Sequence, residues 1–69
     1  MKIVFTLWAK RDRLNMTIRE LSVISGVPRA TINAIENNSR MPRFDTVVYL
    51  SQALGCDINE LFEVYDDAQ

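Results

Sequence analysis

Hydrophobic residues recur along the first part of the chain at intervals of about three or four positions, the spacing of an α-helix. The residues that follow this spacing are Ile3, Val4, Leu7, Trp8 and Leu14, which predict a first helix over roughly residues 4–14. Leu7, Trp8 and Leu14 are the side chains that this helix would bury. The run Ile-Val-Phe-Thr favours a strand, so a short strand within residues 2–7 is an alternative.

A second helix is predicted from the polar residues at its start. Thr17 and Glu20 have the spacing of a capping box, in which each side chain accepts a hydrogen bond from the other residue's backbone N–H. Met16 and Leu21 stand where the two residues of a hydrophobic staple stand. The helix should therefore begin directly after Thr17 and end at Gly26, because glycine readily adopts the left-handed conformation of a helix C-terminus.

The third helix follows after a short turn that contains this glycine. Pro28 suits the first turn of a helix, because its ring fixes φ near the helical value. The pattern predicts a helix over roughly residues 28–37, with Ile32 and Ile35 facing the core. The run Asn37-Asn38-Ser39 then breaks the helix.

Two further helices are predicted in the second half of the chain. The inner stripe of the fourth helix would consist of Phe44, Val47, Leu50, Ser51 and Leu54, closed by Gly55. Asp57 and Glu60 repeat the capping pattern and predict a fifth helix. Its inward side chains would be Ile58, Leu61 and Phe62, and residues 63–69 would form a short acidic tail. The pattern as a whole predicts an all-α bundle.

The length and composition limit the kinds of protein that this chain can be. Its 69 residues fit one domain, spanning residues 1–69, with a modest core. No apolar run approaches the ~20 residues of a membrane span, and the N-terminus lacks the pattern of a signal peptide. Cys56 is the only cysteine, so no intrachain disulfide can form. We therefore expect a cytoplasmic protein that does not associate with membranes.

The charges are segregated along the chain, although the net charge is only −1. All eight cations lie in residues 1–43 together with three acids, which gives this part a charge of +5. Residues 44–69 contain six acids and no cation, which gives a charge of −6. A basic half of this kind can face phosphate while the acidic half faces away.

Residues 17–36 read as helix, glycine turn and helix, the arrangement that defines a helix-turn-helix. A helix held in this way fits the major groove of DNA, where each base pair shows a distinct pattern of donors and acceptors. The segment resembles the Cro/repressor-type helix-turn-helix family, also called the XRE family, over about residues 7–62. The matching residues are Leu21, Ser22, Gly26, Val27, Ile32, Ile35, Glu36, Asn37, Pro42, Ala53, Leu54, Gly55, Leu61 and Phe62.

The resemblance implies a compact five-helix bundle of the lambda-repressor type that binds double-stranded DNA and regulates transcription, most simply as a repressor. It places Arg29, Ala30, Asn33 and Ala34 at base-reading positions. It places Thr17, Pro28, Thr31, Asn37, Asn38, Arg40 and Arg43 near the DNA backbone. It also places Arg11 and Glu36 where an ion pair joins the first and third helices.

The chain departs from the family pattern at several positions. Ile18 stands where glutamine is common, so a frequent polar contact with phosphate is missing. Pro28 has neither a hydroxyl nor an N–H and loses contacts in the same way. Lys10 stands where an apolar residue is common in the first helix. We therefore expect weak affinity for a single half-site.

No motif in the sequence indicates catalysis. The chain has no histidine, no cysteine cluster that would hold zinc and no glycine-rich phosphate loop. Its carboxylates stand at helix caps and in the tail, where they suit helix dipoles. We expect no enzyme activity and no metal, cofactor or small-molecule ligand.

The partners expected from the resemblance are double-stranded DNA and a second copy of the chain, because one recognition helix covers few base pairs. Candidate dimer contacts are Val48, Tyr49, Val64, Tyr65 and residues 3–5. The alternative is a protein-interaction module or antitoxin that retains the fold and holds its partner with the acidic half. A domain of a longer protein is a third possibility.

Overall fold

Short helices make up the middle of the chain, and a small sheet joins its two ends. The structure is a computed structural model and describes residues 1–66. Its helices are α1 (Leu7–Arg13), α2 (Ile18–Ser25), α3 (Arg29–Glu36) and α4 (Phe44–Leu54). Strand β1 (Lys2–Phe5) precedes them, and a 3₁₀ turn (Ile58–Glu60) and strand β2 (Phe62–Tyr65) follow them. The fold is mostly helical, but the prediction of an all-α bundle of five helices is wrong.

The N-terminal segment forms the short strand that the sequence allowed as an alternative, and the first helix begins only at Leu7. Ile3 and Val4 are β-branched residues that suit a strand. The helical spacing of the neighbouring apolar residues was misleading here, because the partner strand comes from the other end of the chain.

The two strands form an antiparallel sheet with an unbroken register, in which Lys2 lies opposite Tyr65 and Phe5 lies opposite Phe62. The side chains of Ile3, Phe5 and Phe62 face the core. The ring centroids of Phe5 and Phe62 are 5.6 Å apart, within the range of favourable aromatic pairs. The sheet therefore closes one side of the helical core.

The predicted fifth helix is replaced by a single 3₁₀ turn, because the chain enters the sheet directly after it. The carbonyl of Leu61 accepts a hydrogen bond from the N–H of Thr6 at 2.8 Å, which begins the ladder between the two ends of the chain. The prediction that residues 63–69 form an acidic tail is also wrong for residues 63–65, which belong to β2. Residues 67–69 lie outside the described part of the chain.

The core draws side chains from every helix and from both ends of the chain. Its fully buried members are Leu7, Leu21, Ile32, Ile35, Leu50 and Leu61. Phe5, Val27, Val47 and Leu54 complete the cluster. The predicted inward residues of α3 are thus correct, and those of α4 are correct except at its first residue.

Three side chains predicted to be inside are at least half exposed. Trp8 is 50% exposed and Leu14 is 51% exposed, because α1 turns only Leu7 fully inward and β1 supplies Phe5 in their place. Phe44, the first residue of α4, is 72% exposed. The periodicity predicted the buried face of α4 correctly. It does not show that the neighbouring elements leave this face uncovered at Phe44.

Asn38 joins the end of α3 to the sheet. Its backbone is in the left-handed region with φ of 56°, and its Oδ1 accepts a hydrogen bond from the N–H of Phe5 at 2.8 Å. In an antiparallel pair the N–H groups point alternately toward and away from the partner strand. Because Thr6 donates to β2, the N–H of Phe5 points away from β2. Asn38 therefore covers the outer edge of β1.

We expect Asn38→Gly to lower the free energy of unfolding by about 1–2 kcal/mol, because it leaves a partly buried N–H without its acceptor. Glycine keeps the left-handed conformation, so backbone strain does not contribute. Asn38→Asp retains the acceptor oxygen and is the matched control. Urea unfolding followed by circular dichroism measures both, and a glycine variant as stable as the aspartate variant would contradict this role.

Candidate nucleic-acid interface

The turn between α2 and α3 is held by hydrogen bonds between its own residues. Gly26 has a φ of 78°, a left-handed conformation that side chains rarely adopt, and its N–H donates to the carbonyl of Ser22 at 2.9 Å. The Ser22 hydroxyl donates to the carbonyl of Val27 at 2.6 Å, and the Ser25 hydroxyl accepts from the N–H of Val27 at 3.1 Å. Val27 itself is buried. These contacts fix the direction in which α3 leaves the turn.

The start of α2 has the predicted capping box. The Glu20 N–H donates to Thr17 Oγ1 at 3.0 Å, and the Thr17 N–H donates to Glu20 Oε1 at 2.8 Å. Oγ1 acts as an acceptor in this cap, which leaves its proton for a second partner. The Thr17 hydroxyl at the exposed N-terminus of α2 can therefore donate to an anion while it caps the helix.

α3 presents one face to the core and the opposite face to solvent. Ile32 and Ile35 are completely buried, whereas Arg29, Ala30 and Asn33 are exposed. Of the remaining predicted contact residues on this helix, Thr31 and Ala34 are half-buried. Residues four positions apart lie side by side on a helix, so Arg29 and Asn33 are neighbours on the outer face.

The two long polar side chains on this face are available for other partners. Within the described residues, Arg29 and Asn33 form no side-chain hydrogen bond or ion pair. A free guanidinium donates two parallel hydrogen bonds to guanine, and an asparagine amide pairs with adenine in a similar way. The exposed face of α3 thus has the chemistry needed to distinguish base pairs.

The start of α3 differs from that of α2. Pro28 is the residue before the helix, with φ of −59°, and provides no side-chain cap. The helix therefore begins at Arg29, one residue later than predicted. Because proline has no N–H and its carbonyl accepts from the N–H of Ile32 at 3.1 Å, its contribution at an interface is limited to its apolar ring.

Arg11 connects three segments of the chain. Its Nε and Nη2 donate to the two carboxylate oxygens of Glu36, each at 2.9 Å, and its Nη1 donates to the carbonyl of Met16 at 2.9 Å. The side chains are only 20% and 10% exposed. The hydrogen bonds that Arg11 donates to Glu36 raise the pKa of Arg11 above its ordinary value. The ion pair expected at these positions is present, and it also holds the entrance to α2.

The loop after α3 exposes two arginines. Within residues 1–66 Arg40 forms no ion pair, while Arg43 contacts Asp45 through Nη2 and Oδ2 at 3.0 Å. The Arg43 side chain is 82% exposed, so its ion pair with Asp45 is weak. The guanidinium can therefore release Asp45 and bind another anion. Asn37 is also exposed at the end of α3. The loop thus has two guanidinium groups that can approach a phosphate.

The sequence reasoning missed several residues that shape this surface. Asn38, expected at the DNA backbone, uses its Oδ1 for the sheet, although its Nδ2 protons are still available as donors. The carbonyl of Met16 as a partner for Arg11 and the hydroxyl of Ser22 in the turn were also missed. Serine in a turn is a known source of such local bonds, but the residue that it bonds is not visible from the sequence.

The described residues show no sign of two other kinds of site. No group of three or more histidine, cysteine or acidic side chains within residues 1–66 is arranged to hold a metal ion. No helix of the described part is long and apolar enough to cross a membrane. An open depression around Leu14, Val23 and Ile24 lies on the outside of α2.

A family model described as helix-turn-helix matches residues 9–61, which is well over half of the chain. The matched range includes α2, the glycine turn and α3, and it extends to the 3₁₀ turn before β2. No curated protein matches the chain.

We expect Glu36→Gln to lower the free energy of unfolding by about 2 kcal/mol, because it leaves the largely buried Arg11 guanidinium without its counter-charge. Glu60→Gln is the matched control. Glu60 accepts a hydrogen bond from Lys10 Nζ at 2.7 Å, but that contact is exposed and contributes much less.

Chemical denaturation of both variants in parallel tests this difference. Equal stability losses in the two variants would show that the Arg11 contact is no more important than a surface ion pair.

Proposed function

The chain belongs to the Cro/repressor-type helix-turn-helix family of DNA-binding domains, and from this we propose that it is a transcriptional regulator that binds double-stranded DNA sequence-specifically. In this proposal α3 lies in the major groove and α2 crosses the DNA backbone above it. The observation that supports it most is the outer face of α3, where an arginine and an asparagine are exposed on a helix whose other face is fully packed.

We assign the reading of bases to four residues of α3. Arg29 would donate two hydrogen bonds to a guanine, and Asn33 would pair with an adenine. Ala30 is exposed between them and would lie against a thymine methyl group, or allow the helix to approach closely. Ala34 is half-buried and would contribute at the margin of the contact. Arg29 is the dominant reader in this assignment.

We assign positioning on the phosphate backbone to residues around α3. The set consists of Thr17, Pro28, Thr31, Asn37, Asn38, Arg40 and Arg43. Thr17 would donate its hydroxyl proton to a phosphate at the start of α2, and Arg40 and Arg43 would contact phosphates from the loop after α3. Asn38 would contribute only through its Nδ2 protons, because its oxygen is engaged by the sheet.

We further propose that the protein acts as a homodimer and represses transcription by occupying its site. One short helix reads only a few base pairs, so two copies on a two-fold symmetric operator increase both affinity and specificity. The half-sites would lie ~34 Å apart or a multiple of that distance. The regulator would act in the cytoplasm.

Selection from a random duplex library at near-physiological salt tests the reading function. We expect the wild-type protein to enrich a palindromic motif. Arg29→Ala should lose preference at one base pair of each half-site, at a cost of ~1–3 kcal/mol of discrimination. Arg13→Ala, an exposed arginine on α1, is the matched control and should enrich the wild-type motif. A folded wild-type protein that enriches no motif would refute the proposal.

A second test concerns Arg40, whose proposed contact is electrostatic and independent of sequence. We expect Arg40→Ala to weaken binding to specific and random duplexes by a similar factor and to reduce the slope of log K against log salt by about 1. Fluorescence anisotropy over a series of salt concentrations measures this slope. If the slope is unchanged while binding is weaker, Arg40 does not contact phosphate.

A further inference from the structure

One acidic side chain lies next to the loop that the proposed function places on the DNA backbone. Asp45 is the first acid of the acidic half of the chain, and it stands in the first turn of α4, directly after this loop. Its Oδ2 accepts a hydrogen bond from Arg43 Nη2 at 3.0 Å. The guanidinium that we assign to a phosphate is therefore already paired with a carboxylate of its own chain.

Within residues 1–66 the Asp45 carboxylate is bonded by Arg43 alone. Its Oδ1 is buried and accepts no hydrogen bond from the described chain, while the side chain as a whole is 46% exposed. The burial of one oxygen leaves Oδ2 as the atom that reaches an external cation. The dipole of α4 favours a negative charge in this first turn. When Arg43 moves to a phosphate, this charge stays in place without its counter-charge.

The two arginines of the loop differ in what a phosphate contact changes. Within the described residues Arg40 forms no ion pair, so its contact with a phosphate adds one. Arg43 gives up Asp45 for the phosphate, so it exchanges one ion pair for another and gains less. If Arg43 instead kept Asp45 on Nη2 and bound the phosphate through its other N–H groups, the phosphate would lie close to a second anion, and the two would repel. In both geometries Asp45 reduces the gain.

We propose that Asp45 competes with DNA phosphate for Arg43 and thereby limits the affinity of the chain for duplex DNA. This inference rests on the proposed function, because the competing anion is a phosphate of the DNA backbone. Phosphate contacts carry no sequence information, so the limit applies to specific and random duplexes alike. Since binding to random DNA comes almost entirely from phosphate contacts, the competition shortens the time that the protein spends on random DNA.

Fluorescence anisotropy with a random-sequence duplex measures this limit. At low salt, where exposed charges are screened least, we expect Asp45→Asn to bind roughly two- to fivefold more tightly than the wild type for each chain bound, the factor that corresponds to one exposed ion pair. Asparagine keeps the shape of the side chain and removes its charge. Asp45→Ser removes the carboxylate with a smaller side chain and should also bind more tightly than the wild type. Circular dichroism checks the folding of both variants.

A double-mutant cycle separates competition for Arg43 from the general repulsion between Asp45 and DNA. Arg43→Ala is compared in the wild-type and Asp45→Asn backgrounds. Competition predicts that Arg43→Ala weakens binding by a factor roughly two- to fivefold larger in the Asp45→Asn background, because Arg43 then has no other ion pair to give up. Arg40→Ala is the matched control and should weaken binding by the same factor in both backgrounds.

Each outcome of the cycle decides the inference. If Arg43→Ala weakens binding equally in both backgrounds, Asp45 does not compete for Arg43. A smaller loss in the Asp45→Asn background would show that Asp45 positions Arg43 for the phosphate, which is the opposite role. Either result overturns the inference.

The failure of the inference and the failure of the proposed function are distinguishable. A folded wild-type chain that binds no duplex overturns both. A chain that binds duplexes without the predicted coupling between Asp45 and Arg43 overturns the inference alone. If the coupling is present but the library selection enriches no motif, the competition for Arg43 stands and sequence-specific reading does not.

Discussion

The arrangement of the helix-turn-helix depends on one guanidinium group. Arg11 leaves α1 and donates three hydrogen bonds, two to Glu36 at the end of α3 and one to the carbonyl of Met16 just before α2. The planar group fixes these partners in one plane, which a flexible ammonium would not do. Since both the start of α2 and the end of α3 are bound to the same side chain, the position of α3 is determined at its far end as well as at the glycine turn.

The helices that could be predicted from the sequence are those whose limits are set by neighbouring residues. The capping box at Thr17 and the left-handed Gly26 define α2, and the polar run after Glu36 ends α3. The sheet could not be predicted in the same way, because its two strands are separated by most of the chain and neither is stable without the other. The same reason explains the error at the fifth helix, where pairing of Leu61 with Thr6 ends the 3₁₀ turn.

The outer face of the candidate site follows from helical periodicity together with the family resemblance. Ile32 and Ile35 mark the buried side of α3, so the exposure of Arg29 and Asn33 could be foreseen. The second role of Asn38 could not, because the group that it bonds is 33 residues away and belongs to a strand that was only an alternative. The exposed face of α3 was therefore predictable from periodicity, whereas the hydrogen bond from a distant strand to Asn38 was not.

The division of α3 into a packed face and an outer face has a consequence for how such a protein changes over evolutionary time. Ile32 and Ile35 hold the helix in the core, whereas Arg29, Ala30 and Asn33 support no other part of the described chain. Surface substitutions of this kind usually change stability little. Under the proposed assignment of base reading to these three positions, substitutions there change the base preference without unfolding the protein, and the target site can diverge faster than the scaffold.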